Sequence, residues 1–213
     1  MKVSFNMGKC VGAVSVLAAL LFSSGCATTT TITADTMRRM ENPTPKNLTV
    51  FSEAKDGRRN KSDQVGRQTF TVFAIPTFGV FSEDQVEMIA GALFVEALKQ
   101  SGYEVNIIEK LGEAKGPVLA VQVDSMHNYL YSWFYPLGIT VGRAQMTPML
   151  LDKEGKTLWK GYPCAGWGGC PSLLYMCGFD TSINSEMTTI LTKIMYQLNN
   201  QEFIQAISSP QPK

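Results

Sequence analysis

Acid–base or nucleophilic catalysis needs a histidine, cysteine or carboxylate with an activating partner. The 213-residue chain offers one histidine, His127, and the cysteines Cys10, Cys26, Cys164, Cys170 and Cys177. His127 lies in Ser125-Met126-His127-Asn128-Tyr129 and reads as a lone histidine at a strand exit. A Cys–His dyad with Cys164, Cys170 or Cys177 would need the fold to bring distant residues together, and nothing local supports it. One histidine excludes a His-rich zinc site. A three-thiolate site would have C-x5-C-x6-C spacing, without the short Cys pair typical of zinc. The chain is therefore expected to be non-enzymatic, with no catalytic residue, no metal and no cofactor.

In an oxidising compartment Cys164, Cys170 and Cys177 would form one disulfide and leave one thiol over. Cys164 with Cys170, bracketing Ala165-Gly166-Trp167-Gly168-Gly169, is the favoured pairing, and the other two pairings stay open. In a reducing envelope all three would serve as small buried hydrophobes. The second chemical group is aromatic. Tyr129, Tyr131, Trp133, Phe134 and Tyr135 fall just before Pro136 and Gly138. Amphipathic rings on a loop suit a membrane surface or a partner protein, whereas a hairpin folded onto the core would bury about half of them. Tyr131, Trp133, Phe134 and Tyr135, with Trp167 in a second loop from Gly161 to Asp180, are the contact candidates.

The amino terminus sets the compartment. Lys2 and Lys9 precede an apolar run from Val11 to Phe22, followed by Ser23-Ser24-Gly25-Cys26. A basic start, a short apolar segment and small residues mark a secretory signal peptide, and the run is shorter than the roughly 20 residues a membrane span needs. The stretch ending at Cys26 resembles the lipobox of bacterial lipoproteins, although Ser23 stands where that motif usually has Leu, Val or Ile. The resemblance implies cleavage after residue 25, diacylation of Cys26 and a membrane-tethered, otherwise water-soluble protein. Several acyl chains hold stably where one would not. Ala27 in place of Asp resembles the sorting default of enteric bacteria, which implies the inner leaflet of the outer membrane, facing the periplasm.

Beyond the signal, about 190 residues can form one domain with a core. Composition is ordinary at 45% hydrophobic and 17% charged, with formal net charge +1. No electrostatic footprint for nucleic acid is present. Residues 26–47, rich in threonine and proline, read as a flexible tether, leaving 48–213 as the domain.

Leu48–Phe51 predicts a first strand, Lys55–Arg67 a basic, solvated loop, and Thr69–Ile75, bounded by Pro76, a central strand. Ser82 with Gln85 predicts a capping box. Val86, Ile89, Ala90, Leu93, Phe94, Ala97 and Leu98 then form a helical stripe ending at Gly102. Tyr103–Ile108 would close a β-α-β unit with a right-handed crossover. Val118–Val123, Ile139–Leu151 and Lys156–Gly161 predict a meander, with Pro148 favouring an edge or bulge. A helix from about Ser182 to Ile207 breaks near Asn199-Asn200. The predicted class is α+β, a mixed or antiparallel sheet of five to six strands with two main helices on one face.

This order of elements over about 48–207, with Ile190-Leu191-Thr192-Lys193-Ile194-Met195 leading to Phe203-Ile204, resembles the small envelope lipoproteins of the YajG and GNA1162-like kind. Their domain is similar to the amino-terminal domain of TolB and to anticodon-binding-like folds. The resemblance is architectural and carries no catalytic residue. It implies a lipid-anchored accessory for binding or assembling another envelope component. The alternative is a module that binds a lipid or small amphiphile with the aromatic residues lining a pocket.

Overall fold

The protein, seen in a computed structural model, is described over residues 28–38, 40, 43–59, 63–70, 75–134, 137–173 and 179–209. Strand residues 28, 70, 75–78, 132–134, 137 and 170–173 are described by backbone course alone. The elements are β1 (Thr28–Thr30), β2 (Asn47–Phe51), β3 (Lys55–Asp56), β4 (Gln64–Phe70), β5 (Ile75–Ser82), α1 (Val86–Gln100), β6 (Glu104–Ile108), β7 (Val118–Phe134), β8 (Leu137–Leu151), β9 (Thr157–Lys160), β10 (Cys164–Leu173), α2 (Phe179–Leu198) and α3 (Gln201–Ser208). All ten strands join one mixed sheet, so the α+β class stands but the sheet is larger than the expected five to six strands.

The sheet is organised around β7. One of its edges takes β2, β3 and β4 in parallel, and the other takes β8 antiparallel. β8 in turn carries both β9 and β10. Pro148 sits where the partner of β8 changes from β9 to β10. Its carbonyl accepts the Gly161 N–H at 2.9 Å, and its missing N–H would face that same side, at the joint.

Several sequence expectations change. Thr69–Ile75 is not one central strand: Phe70 ends β4 and Ile75 begins β5, paired antiparallel, while 71–74 lie outside the described residues. β6 consequently runs opposite to β5, with β4, β7 and β2 between them, so no parallel β-α-β unit forms. The N-cap of α1 falls three residues after the expected one. The Ser82 hydroxyl donates to the Asp84 carbonyl at 2.5 Å, and Gln85 precedes the helix without a side-chain cap. Residues 28–38 are not a flexible tether. β1 pairs with β5, Ile32 and Met37 are buried, and the Asp35 and Met37 N–H groups bond Thr188 Oγ1 at 2.8 Å and Gln100 Oε1 at 2.7 Å.

Other expectations hold. The α1 stripe buries Val86, Ala90, Phe94, Ala97 and Leu98, and Gly102 takes φ 99° after the helix. The last helix divides at Asn199-Asn200, and α3 lays Phe203 edge-on against Trp159, ring centres 5.1 Å apart.

α2 lies on the inner face of β8 and β10 closer than side chains would permit. A Cβ on Gly166 would overlap the Glu186 carbonyl oxygen and lie 2.9 Å from its Cα; one on Gly168 would overlap the Ser182 carbonyl. Gly166→Ala is therefore expected to cost about 3 kcal/mol, because backbone meets backbone and nothing flexible can give way. Gly112→Ala, with nothing within 4 Å, serves as the neutral control. Chemical denaturation of the two variants measures the difference, and equal midpoints would contradict the close packing.

Candidate functional site

A β-bulge at Asp124 fixes which side chains of β7 face out. Before it, Leu119, Val121 and Val123 point to the helices; after it, Met126, Asn128 and Leu130 do. His127, Tyr129 and Tyr131 therefore fall on the outer face. Register adds their neighbours. His127 is opposite Arg143, which is opposite Trp167; Arg67 lies beside Tyr129, which is opposite Val141.

The resulting ledge is aromatic and cationic. Trp167 is 67% exposed and Tyr129 40%. The Arg143 guanidinium lies 5.0 Å from the Trp167 ring centre, a cation–π contact that fixes an otherwise free indole, and it also donates to Gln145 Oε1 at 3.2 Å. Tyr129 and Tyr131 stack at 6.0 Å with 21° between planes. A cleft of about 220 Å³ opens beside them, lined among others by Arg58, Gln64, Arg67, His127 and Tyr129. Arg58, placed by sequence in a solvated loop, is instead buried, with Nε and Nη2 each 3.0 Å from an Asp56 carboxylate oxygen. Such a surface stacks on flat groups and receives acceptors or negative charge.

Of the contact candidates, the structure puts Tyr131 and Trp167 on this one face. Trp133 and Phe134 end β7, and Tyr135 lies outside the described residues. Sequence reading did not single out Arg143, and it placed Arg67 in a solvated basic loop. Alternation along β8 and β4 could have found them had the bulge and the pairing been known. His127 is not at a strand exit but well inside β7.

The cysteine expectations are corrected. Cys164 and Cys170 both lie in β10, six positions apart and so about 20 Å, whereas a disulfide needs Cα atoms within about 7 Å. Cys164 is a free, buried thiol, and that pairing fails; a site using all three thiolates fails for the same reason. Cys164 faces the core opposite Met146 while His127 faces outward, so they form no dyad. Burial pushes the Cys164 thiol up despite the Gln197 amide at 2.8 Å and the charge of Lys193. Cys26 and Cys177 lie outside the described residues.

Behind the ledge sits a buried polar cluster. Glu186 on α2 accepts from Ser182 Oγ at 2.9 Å and from Asn128 Nδ2 at 3.4 Å. Asn128 Oδ1 and Thr140 Oγ1 are buried without a hydrogen-bond partner among the described residues. A Cβ on Gly142 would overlap both Asn128 Oδ1 and Glu186 Oε1, so these two oxygens face each other within about 4 Å. Two acceptors so placed call for a proton between them. Burial raises the Glu186 carboxyl to about 7, against the lowering effect of its Ser182 and Asn128 hydrogen bonds.

No family model matches the chain, and no curated protein does. Solved structures do. A Xanthomonas campestris protein of the DUF330 family is 14% identical, aligns over 83% of this chain and 95% of its own, and gives a TM-score of 0.50. PelC from Paraburkholderia phytofirmans, a dodecamer, is 14% identical over 79% of this chain and 93% of that one, TM-score 0.36. Lipoprotein GNA1162 from Neisseria meningitidis is 12% identical over 72% and 98%, TM-score 0.34. The Xanthomonas similarity is one of fold, and it places the chain in a known α+β architecture.

A carboxyl raised from 4.5 to about 7 stabilises the fold fully below pH 4.5, and that contribution is lost as pH rises through 7. The loss is on the order of 3 kcal/mol. Melting temperature should fall between pH 5 and 7.5 in the natural protein and stay level in Glu186→Gln, whose amide can donate to Asn128 Oδ1. An unchanged slope in the variant would show that Glu186 does not hold the proton.

Proposed function

We propose that this is a lipid-anchored envelope protein that acts without catalysis, binding or helping to assemble another envelope component through the outer-face ledge. The observation that carries the reading is Trp167, two-thirds exposed yet held by Arg143 at 5.0 Å, beside the stacked Tyr129 and Tyr131. Rigid exposed aromatic residues next to arginine are the side chains that dominate protein interfaces. The Cys26 signal supports a tether to the membrane, with the periplasmic face of the outer membrane as the location. The fold shared with the Xanthomonas protein is compatible with such a role and assigns none.

The lipid-carrier alternative has less behind it. Tyr129 and Trp167 stand on an open face, and the cleft beside Tyr129 has Arg58, Arg67 and His127 in its walls, which suit an acceptor more than an acyl chain. Trp167→Ala is expected to lower recovery of crosslinked envelope partners by on the order of tenfold, with the melting temperature kept, since the side chain is exposed. Partner recovery that is unchanged in Trp167→Ala and in Tyr129→Ala would remove the ledge as the binding site.

A further inference from the structure

β6 closes one side of the sheet, with β2 as its single strand partner among the described residues. The hydrogen bonds to β2 fix which backbone groups of β6 are left over. The Glu104 N–H donates to the Lys46 carbonyl at 2.8 Å, and the Ile108 carbonyl accepts the Ser52 N–H at 3.0 Å. In a parallel ladder every second residue makes both of its bonds to the same neighbour, so Glu104, Asn106 and Ile108 are used while Val105 and Ile107 turn theirs outward. No strand among the described residues pairs with them there. A groove of about 320 Å³ opens along the first residues of β2 and β6, lined by Asn47, Leu48, Thr49, Glu104, Val105 and Asn106.

The devices that blunt an exposed edge are not built into this strand. β6 has no proline, no lysine and no bulge, and its one charge, Glu104, stands at the first position. Ile107 is 46% exposed. It lies beside Val50 and on the same side as Val105, the side that packs into the core. The apolar face of the sheet thus runs out to the edge without cover.

We propose that β6 pairs antiparallel with β6 of a second copy of this chain, about a two-fold axis through Asn106. In that register the strand is complementary to itself. Val105 stands opposite the partner's Ile107, each donating its N–H and accepting one in return, and the two-fold axis repeats the exchange. The exposed isoleucine is covered by the same contact. On the other face Glu104 falls diagonal to the partner's Lys110, whose backbone at φ −131° and ψ 129° continues the extended course past the strand. Opposite charges therefore meet on each side of the axis. A shift of two residues one way would set Val105 against the partner's Glu109. The other way would set Ile107 against Tyr103, whose N–H is already given to the Leu98 carbonyl at 3.1 Å.

Antiparallel pairing keeps each face of the sheet on its own side. The helices of both copies then lie on one side, and both ledges, on β7, β8 and β10, open on the other. A component with repeated features would be held by two ledges at once. The pairing does not depend on the anchor or on what the ledge holds. One short strand buries less than the roughly 1,600 Å² of a standard interface, so the dimer is expected to be reversible, and a covalent trap reads it better than a mass measurement.

Asn106→Cys sets that trap. Facing residues outside the hydrogen-bonded pairs have Cα atoms about 4.5 Å apart, within the span of a disulfide. The full chain carrying Asn106→Cys, oxidised mildly in the membranes of the cells that produce it, should form a disulfide-linked dimer that a reductant dissolves. Thr49→Cys, on the same face one strand inward, is about 14 Å from its copy and should give on the order of tenfold less, as should the natural chain. Adding Ile107→Lys to Asn106→Cys places lysine on the edge and should lower the dimer about tenfold with the melting temperature kept. A dimer no stronger in Asn106→Cys than in Thr49→Cys or the natural chain overturns the proposal, as does one that survives Ile107→Lys. A stronger link through Ile107→Cys than through Asn106→Cys shows another register and overturns it. Asn106→Cys joined to a protein of different mass puts another partner on the edge, with the same result.

Discussion

The first turns of α2 rest on bare backbone. At Gly166 and Gly168 the helix carbonyls of Glu186 and Ser182 occupy the space a β-carbon would need, and Gly142 leaves room for the carboxyl of Glu186 and the amide of Asn128. That contact decides how α2 covers β8 and β10. It also holds those strands in the register that brings Arg143 under Trp167 on the opposite face. Inner and outer faces are thus linked through strands of alternating type: small or polar toward the helix, cationic or aromatic toward solvent.

A polar group is enclosed in the same contact. Ser182, Glu186, Asn128 and Thr140 are buried together there. A protonated Glu186 answers the facing Asn128 oxygen without leaving a charge in the interior, which is the form burial favours. The helix is held firmly in acid and less so as the carboxyl ionises.

Much of the architecture was legible where a single periodicity ruled. The α1 stripe, the break at Asn199-Asn200 and the α+β class followed from helical spacing and turn residues. The pairing was not legible, since it rests on contacts distant in sequence. Gly166 and Gly168 read as loop because glycine favours turns, yet they sit in β10 to admit a helix. Trp133 and Phe134 read as a hairpin loop because Pro136 follows, yet β7 continues through them. The threonine-rich stretch around Ile32 and Met37 lacked periodicity, which suggested a tether, and it is docked by two buried side chains and backbone hydrogen bonds instead. Of the candidate site, Tyr131 and Trp167 were named from residue type alone. Arg67 and Arg143 required the bulge at Asp124, which shifts the alternation by one.

A docked amino-terminal strap changes what an anchor would do, turning it from a leash into a fixed mount, and both the orientation of the sheet and the height of the ledge depend on it. Metabolic labelling with palmitate, comparing the natural chain with Cys26→Ser, tests that dependence most directly. Label is expected on the natural protein and none on the variant. An unlabelled natural chain, or label that survives Cys26→Ser, would contradict it.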